Sequence, residues 1–360
     1  MAQWSGASFL VIRLSSLGDI ARLLPALRAL KGGALGRLDV TVEDRFAALL
    51  DLFPFAHRVV AYPRRSPGPA WRHPVRWASA MARYRRSLRE VPYDLALDLH
   101  GILRSAFVAR MSGAAETAGY ARGFGKEGSH LLYGRAVAPA QVTRISRYER
   151  YAGTLRALGL PEPTGEPLEP SIQQGVCTEV QAFLDHAGLS NRGYLFAFLG
   201  TSRAQAHKRW PPARFVELAL LTYRRTGLPT ILGWGPEEEE IIAGLPKEEF
   251  LFPIPRWDLP HLVESVRRAS AFVGADTGAM HLAALMGVPT VAVLGPTDPI
   301  LNAPFGEWSR IVHEEGIIRA CKGQGCEHRD CMASISAERV AEALSEVLGG
   351  TGDRGQGTGK

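Results

Sequence analysis

Apolar residues fill positions 9–12 (Phe9, Leu10, Val11, Ile12), the run stops at Ser15-Ser16-Leu17-Gly18, and Ile20, Leu23, Leu24, Leu27 and Leu30 then recur at three- and four-residue spacing. A short apolar block, a polar turn and a helical period predict strand, loop and helix in that order. Pro25 inside the helical pattern is expected either in an early turn or at a kink, because it lacks an N–H and crowds the preceding turn. Further strand-like runs occupy positions 38–42, 59–62, 95–99 and 135–137, separated by longer helical or loop stretches. Such β/α alternation predicts a parallel sheet.

Positions 160–170 read Leu-Pro-Glu-Pro-Thr-Gly-Glu-Pro-Leu-Glu-Pro, which forbids continuous helix or central strand. Beyond this linker the alternation restarts, with strand-like runs at 194–199, 229–232, 250–254, 271–274 and 290–294. The expected organisation is α/β throughout, with two doubly wound, Rossmann-like domains at 1–165 and 166–348 and a polar, glycine-rich tail at 349–360 expected to be disordered. In such folds ligands bind at the carboxyl ends of the strands, so an interdomain cleft is expected to hold the site. A chain of 360 residues is long enough for two cores of ordinary size.

Composition narrows the class. Apolar residues make up 46% and charged residues 22%, and no apolar run approaches the ~20 residues that cross a bilayer. The first residues, Met1-Ala2-Gln3-Trp4-Ser5-Gly6, carry no basic n-region, so a cytoplasmic protein is expected. Four cysteines, Cys177, Cys321, Cys326 and Cys331, are too few for a disulfide framework in a chain of this length. The net charge of +6 is concentrated in one place: Arg64, Arg65, Arg72, Arg76, Arg83, Arg85, Arg86 and Arg89 run without an acidic residue between them, interleaved with Trp71, Trp77 and Tyr84. Two readings stand for this stretch, a solvated helix face or a docking surface for an acidic acceptor or an anionic leaflet. Nucleic acid is not expected, since neither zinc-finger spacing nor an RNP-like motif accompanies the charge.

The chemistry concentrates in the second half. Phe272-Val273-Gly274-Ala275-Asp276-Thr277-Gly278-Ala279-Met280-His281 reads as a strand ending in a polar turn that opens a helix, with Asp276, Thr277 and Gly278 at the helix start. Free backbone N–H groups and the helix dipole make such a terminus an anion site, for which a diphosphate is a natural guest. An ordinary N-cap with His281 one turn in is the plainer alternative. Downstream, Gly287-Val288-Pro289 and Leu294-Gly295-Pro296-Thr297-Asp298-Pro299 bring a second buried strand to another backbone-rich turn.

Together these strings resemble the donor-site signature of the lipopolysaccharide heptosyltransferases of glycosyltransferase family 9. Ser15-Ser16-Leu17-Gly18-Asp19 with Leu24-Pro25-Ala26-Leu27 is similar to that family's N-terminal loop and helix. Leu97-Asp98-Leu99-His100-Gly101 with Arg104-Ser105 is similar to its second N-domain motif, where the family often has Gln in place of His100. Thr201-Ser202 with Lys208-Arg209-Trp210-Pro211 resembles its donor-phosphate loop. The likeness runs over roughly residues 8–348. It implies the GT-B architecture and a metal-independent, inverting transfer of heptose from ADP-heptose to a Kdo or heptose hydroxyl of the inner core on lipid A, at the inner face of the cytoplasmic membrane.

The same resemblance implies that Asp19 is the base, with Ser16, Gly18 and Arg104 on the acceptor side; an N-cap for the helix starting at Ile20 is the plainer reading of Asp19. It places Thr201, Ser202, Lys208, Thr277, Gly278 and His281 around the diphosphate, with Asp276 among the donor-binding residues. Glu238 falls on the ribose-contacting glutamate, with Glu239 open because the glutamate run permits a slip of one. Trp257 lies where relatives contact the base, and both an adenine face and a core tryptophan stand as readings. No cofactor or catalytic metal is implied, although Cys321, Cys326 and Cys331 with His328 invite a structural-metal test. Three rivals stand beside this reading. One is the same donor used on a protein or other glycan. Another is an NAD-dependent oxidoreductase, which lacks a G-x-G-x-x-G after the first strand. The third is a non-catalytic nucleotide-binding module. If Asp19 is the base, Asp19→Asn is expected to lower turnover at least a hundredfold, a loss in the ~10²–10⁴ range for general bases, and to leave stability near wild type.

Overall fold

The alternation of apolar runs and helical periods resolves into two units, Met1–Gly165 and Glu166–Lys360. The structure, a computed structural model, describes residues 4–64, 73–190, 192–201, 203–235, 237–314 and 331–349. The expectation for 349–360 falls outside them, apart from Gly349, which closes the last helix.

The first unit runs β1 (Ser8–Ile12), α1 (Leu17–Gly32), β2 (Arg37–Glu43), α2 (Ala47–Leu52), β3 (Arg58–Tyr62), α3 (Pro74–Leu88), β4 (Leu95–Asp98), α4 (Leu103–Ser112), β5 (Glu116–Tyr120), β6 (Arg135–Val137) and α5 (Arg147–Ala157). Its six strands lie in the order β3-β2-β1-β4-β5-β6, and every neighbouring pair is parallel. The order reverses between β1 and β4, which is where doubly wound sheets bind ligands, beyond the carboxyl ends of those two strands. Helices cover both faces, so β1 is apolar along its length and Phe9, Leu10, Val11 and Ile12 are fully buried. Pro25 lies inside α1, which continues through it to Gly32. The one strand of this unit that the pattern missed is β5, whose Glu-Thr-Ala-Gly-Tyr is too small and mixed to read as an apolar run.

The second unit repeats the plan with α6 (Gln174–His186), β7 (Leu195–Phe198), α7 (Pro212–Thr226), β8 (Thr230–Gly233), α8 (Glu239–Ala243), β9 (Leu251–Pro253), α9 (Leu259–Arg267), β10 (Ala271–Ala275), α10 (Gly278–Leu285), β11 (Thr290–Leu294), β12 (Ser309–His313) and α11 (Ala337–Gly349). The order β12-β11-β10-β7-β8-β9 is the same doubly wound arrangement, with its reversal between β7 and β10. The strand missed here is β12, a half-exposed edge strand in which Ser309, Arg310 and His313 mask the apolar pair. Trp210, fully buried, anchors this core: its ring meets Phe215 edge-on with centroids 4.9 Å apart, and its Nε1 donates to the Ile335 carbonyl at 2.9 Å. Among the described residues no helix is long and apolar enough to cross a membrane.

Candidate active site

In the first unit the site forms around Asp19. Ser16 caps α1 and Asp19 occupies its third position, where the carboxylate accepts from the Ser16 hydroxyl at 3.2 Å and backbone N–H at 3.4 Å. Three guanidinium groups close on the same carboxylate. Arg13 lies 2.5 Å from Oδ2, while Arg22 and Arg147 lie 3.1 and 3.2 Å from Oδ1. Arg13 follows β1 and is turned inward by donating to the Leu99 carbonyl at 3.1 Å, Arg22 sits one turn along α1, and Arg147 opens α5. Burial on its own would raise the carboxyl's pKa, but Arg13, Arg22 and Arg147 outweigh it and hold Asp19 far below the usual carboxylate range. Asp19 is therefore ionised at every physiological pH.

A second carboxylate ringed by arginines stands at the carboxyl end of β2. Glu43, the last residue of β2, is fully buried and pairs with Arg45, Arg64 and Arg104 at 2.9, 2.9 and 3.3 Å. With six arginines around two carboxylates, the carboxyl edge of this sheet keeps a surplus of positive charge. Arg104 is held by Glu43 and lies over the Tyr62 ring. Ser16 is exposed and Gly18 is buried in the first turn of α1.

The Asp98-Leu99-His100-Gly101 motif is largely a turn. The buried Asp98 carboxylate accepts from the His100 and Gly101 backbone N–H groups at 2.8 and 3.2 Å and from the Tyr133 hydroxyl at 2.6 Å. Gly101 adopts a φ of +75°, and a Cβ there would sit 2.4 Å from the Tyr120 ring, so only glycine fits. The His100 imidazole is pushed down to about 3 by burial and by Arg13, with further contributions from Arg104 and Arg147 that outweigh Asp19, so it is neutral at physiological pH.

In the second unit the expected donor residues gather at the carboxyl ends of β7, β8 and β10. The Lys208 ammonium lies 2.9 Å from Asp276 Oδ2, and His281, fully buried, lies 3.4 Å from Oδ1 of the same carboxylate. Asp276 therefore ties the lysine after β7 to the start of α10. Thr277 is the N-cap of α10 and Gly278 its first residue, yet the Thr277 hydroxyl does not cap the helix. Thr277 Oγ1 and Thr201 Oγ1 are both buried and have no hydrogen-bond partner among the described residues. Unsatisfied hydroxyls, a helix N-terminus and a lysine are groups that phosphate oxygens can satisfy.

Other expected residues are placed differently. Ser202 lies outside the described residues. Glu238 is 1% exposed, and its carboxylate accepts from the Thr201 and Gly235 backbone N–H groups at 3.2 and 3.0 Å while pairing closely with Arg209. Its oxygens are thus mostly committed to protein, because a carboxylate offers about four acceptor positions. Glu239, the alternative, is 64% exposed and 3.8 Å from Arg256. Trp257 stacks on His261 with centroids 5.5 Å apart and meets Phe183 edge-on, so the packed reading accounts for one face and one edge of its ring. Cys321, Cys326 and His328 are outside the described residues. Cys331 is buried, and among the described residues no cluster of three His, Cys, Asp or Glu forms.

Sequence reasoning gave no role to Arg13, Arg22, Arg147, Glu43 and Arg209. Usable signals existed for three: Arg13 directly follows a central apolar strand, Arg22 stands three residues after Asp19 on the same helix, and Arg209 lies inside the Lys208-Arg209-Trp210-Pro211 motif. Glu43 and Arg147 converge only through the fold.

Two doubly wound domains, one with an ionised carboxylate after its first strand and the other with a lysine paired to an aspartate at a helix start, are the parts of a glycosyltransferase of the GT-B class. Comparison with known proteins identifies the family. Residues 81–331 match Glycosyltransferase family 9 (heptosyltransferase), and the chain belongs to that family and is a glycosyltransferase. It is 28% identical to lipopolysaccharide heptosyltransferase 1 of Pseudomonas aeruginosa, over 94% of this chain and 97% of that one. Identity to the Escherichia coli K12 protein of the same name is also 28%, over 94% and 99%. Among solved structures, the E. coli heptosyltransferase WaaC with ADP-2-deoxy-2-fluoro heptose superposes with a TM-score of 0.72 at 25% identity, covering 94% of this chain and 99% of that one. A family 9 glycosyl transferase from Veillonella parvula superposes with a TM-score of 0.78 at 21% identity, over 96% and 98%.

Proposed function

We propose that the enzyme transfers heptose from ADP-heptose to a hydroxyl of the lipopolysaccharide inner core, with inversion at the anomeric carbon and without a catalytic metal. The observation that carries this reading is the assembly of Lys208, Asp276, Thr277 and the start of α10 at the switch point of the second sheet. The names of its relatives support the sugar and the acceptor, and the nucleotide sugar held by WaaC supports the donor. Lys208 and the α10 amides supply positive potential for the departing diphosphate, and a buried site makes that potential more effective than it is in water.

Asp19 takes the acceptor proton. A carboxylate so tightly paired is a weak base, but it need not deprotonate a neutral alcohol. As the hydroxyl oxygen bonds to the anomeric carbon and the diphosphate leaves, that oxygen becomes a protonated ether, far more acidic than any carboxylic acid. Proton transfer is then late and downhill even to Asp19. The Ser16 hydroxyl, its exposed partner, is the contact that the incoming hydroxyl replaces. The arginine surplus around Asp19 and Glu43 suits an acceptor that carries carboxylates or phosphates.

The test is incubation with ADP-heptose, GDP-mannose or UDP-glucose beside a Kdo–lipid A acceptor and beside a protein acceptor. ADP release that depends on Kdo–lipid A is expected. Release of GDP or UDP instead, or release only with the protein acceptor, overturns the assignment.

The same reading includes contact with the anionic inner leaflet through α3. Arg64 is paired with Glu43, and Arg65 and Arg72 lie outside the described residues, which leaves the helix itself as the exposed basic element. Arg76, Arg83, Arg85 and Arg86 are exposed on it, no acidic residue lies within it, and Val75 and Trp77 at its start are 80% and 39% exposed. Co-sedimentation with phosphatidylglycerol vesicles is expected at low salt and is expected to weaken as salt rises. Absence of binding at low salt makes α3 a solvated face.

A further inference from the structure

The loop that leaves β7 ends in three consecutive side chains that go in three directions. β7 lies between β10 and β8 in the sheet. Lys208 reaches toward the β10 side and pairs with Asp276, whereas Arg209 reaches toward the β8 side and pairs with Glu238. Trp210 turns into the core and is pinned by the Ile335 carbonyl at 2.9 Å. Glu238 in turn accepts from the backbone of Thr201 at 3.2 Å and of Gly235 at 3.0 Å, so one buried carboxylate joins the start of the β7 loop, its end and the β8 loop. Arg209 also approaches the Thr201 carbonyl at 3.5 Å, which closes the loop on itself.

We propose that Arg209 is a positioning residue for the nucleotide: through Glu238 it fixes the β7 loop, and with it Lys208 and Thr201, in the geometry that receives the diphosphate. The proposal rests on the donor reading above. Its physical basis is that Lys208 has a long, flexible stem whose rotamer freedom must be lost on binding, and a neighbour locked on the opposite side supplies part of that ordering in advance. Arg209 is suited to the task because its planar fork can hold a buried carboxylate and the Thr201 carbonyl together, which a lysine's point charge does less well. Glu238, in this view, acts on the nucleotide chiefly through the loop it holds.

The experiment is ADP titration by calorimetry into wild type, Arg209→Ala, Arg209→Lys, Glu238→Gln and the Arg209→Ala/Glu238→Gln double variant, with melting temperatures and donor KM measured in parallel. Arg209→Ala is expected to weaken ADP roughly tenfold, with a matching rise in donor KM, and Arg209→Lys to recover part of the loss. The double variant is expected to be no worse than Arg209→Ala within about twofold, because both changes break one contact and groups sharing a contact are not additive. A fall in melting temperature with ADP affinity unchanged in both Arg209 variants overturns the proposal. So do fully additive losses, which would mean that Glu238 meets the nucleotide independently of Arg209. If wild type itself fails to bind ADP, the donor reading fails and this proposal with it, whereas wild-type binding that Arg209→Ala leaves intact overturns this proposal alone.

Discussion

Asp19→Asn is expected to cost the first domain stability as well as the reaction its base, in contrast to the expectation from sequence that stability would be spared. Arg13 and Arg22 are nearly buried and Arg147 is half-buried, and all three face the one carboxylate. An amide in its place leaves three guanidinium groups repelling one another with no counter-charge. Removing one partner of a buried ion pair typically costs about 3–5 kcal/mol. For a domain of this size, that is a fall of roughly 6–20 °C in melting temperature. Below that transition the variant keeps its ADP site, which belongs to the second unit, so ADP binding near wild type with turnover lowered at least a hundredfold is the expected kinetic result. Near-normal turnover on the true acceptor overturns the role of Asp19 as base, and an unchanged melting temperature overturns its role as the hub of the arginines.

The stability effect carries a pH signature. Asp19 has its pKa lowered in the folded protein, so its stabilisation is fully present above the unfolded value of about 3.9 and is lost as pH falls below that toward the folded value. The gap in melting temperature between wild type and Asp19→Asn is therefore expected to be constant from pH 8 to about pH 5 and to shrink only below about pH 4. For the same reason, wild-type turnover has no acid limb from Asp19 in the neutral range.

How much of this was legible in the sequence depends on whether a feature is local. Among the described residues, ten of the twelve strands announce themselves as short runs with apolar residues between turns or helical periods, most completely where both faces are buried, as at Phe9 to Ile12. The two that escape, β5 and β12, are made of small residues or lie half-exposed at an edge. Asp276 could be picked out because it follows a recognisable strand and opens a helix, whereas Asp19 and Lys208 stood out through the family motifs in which they lie. Their surroundings did not. Arg147 is 128 positions from Asp19, Glu43 is 61 from Arg104, and nothing in local spacing predicts that either pair meets. The basic run from Arg64 to Arg89 is divided by the fold, which pairs Arg64 with Glu43 and leaves Arg76, Arg83, Arg85 and Arg86 exposed on α3.

Lys208→Ala is expected to weaken ADP binding tenfold or more, and the reason lies as much in the residue left behind as in the one removed. A charge-assisted contact to phosphate contributes ~1.5–3 kcal/mol, and about 1.4 kcal/mol is tenfold in affinity. In this structure the ammonium also neutralises Asp276, 2.9 Å away and nearly buried at the mouth of α10. Without Lys208 that carboxylate faces the incoming diphosphate and cancels part of the attraction of the helix N-terminus. Asp276→Asn in the Lys208→Ala background is therefore expected to recover part of the lost ADP affinity, because it removes the like charge and keeps an amide of the same shape. Turnover should not recover with it, since the departing diphosphate still lacks its cation and that charge is largest in the transition state. Calorimetry with ADP and steady-state rates on the single and double variants separate these effects. ADP affinity unchanged in Lys208→Ala overturns the donor-site assignment, and a double variant that binds no better than Lys208→Ala shows that Asp276 does not oppose the nucleotide.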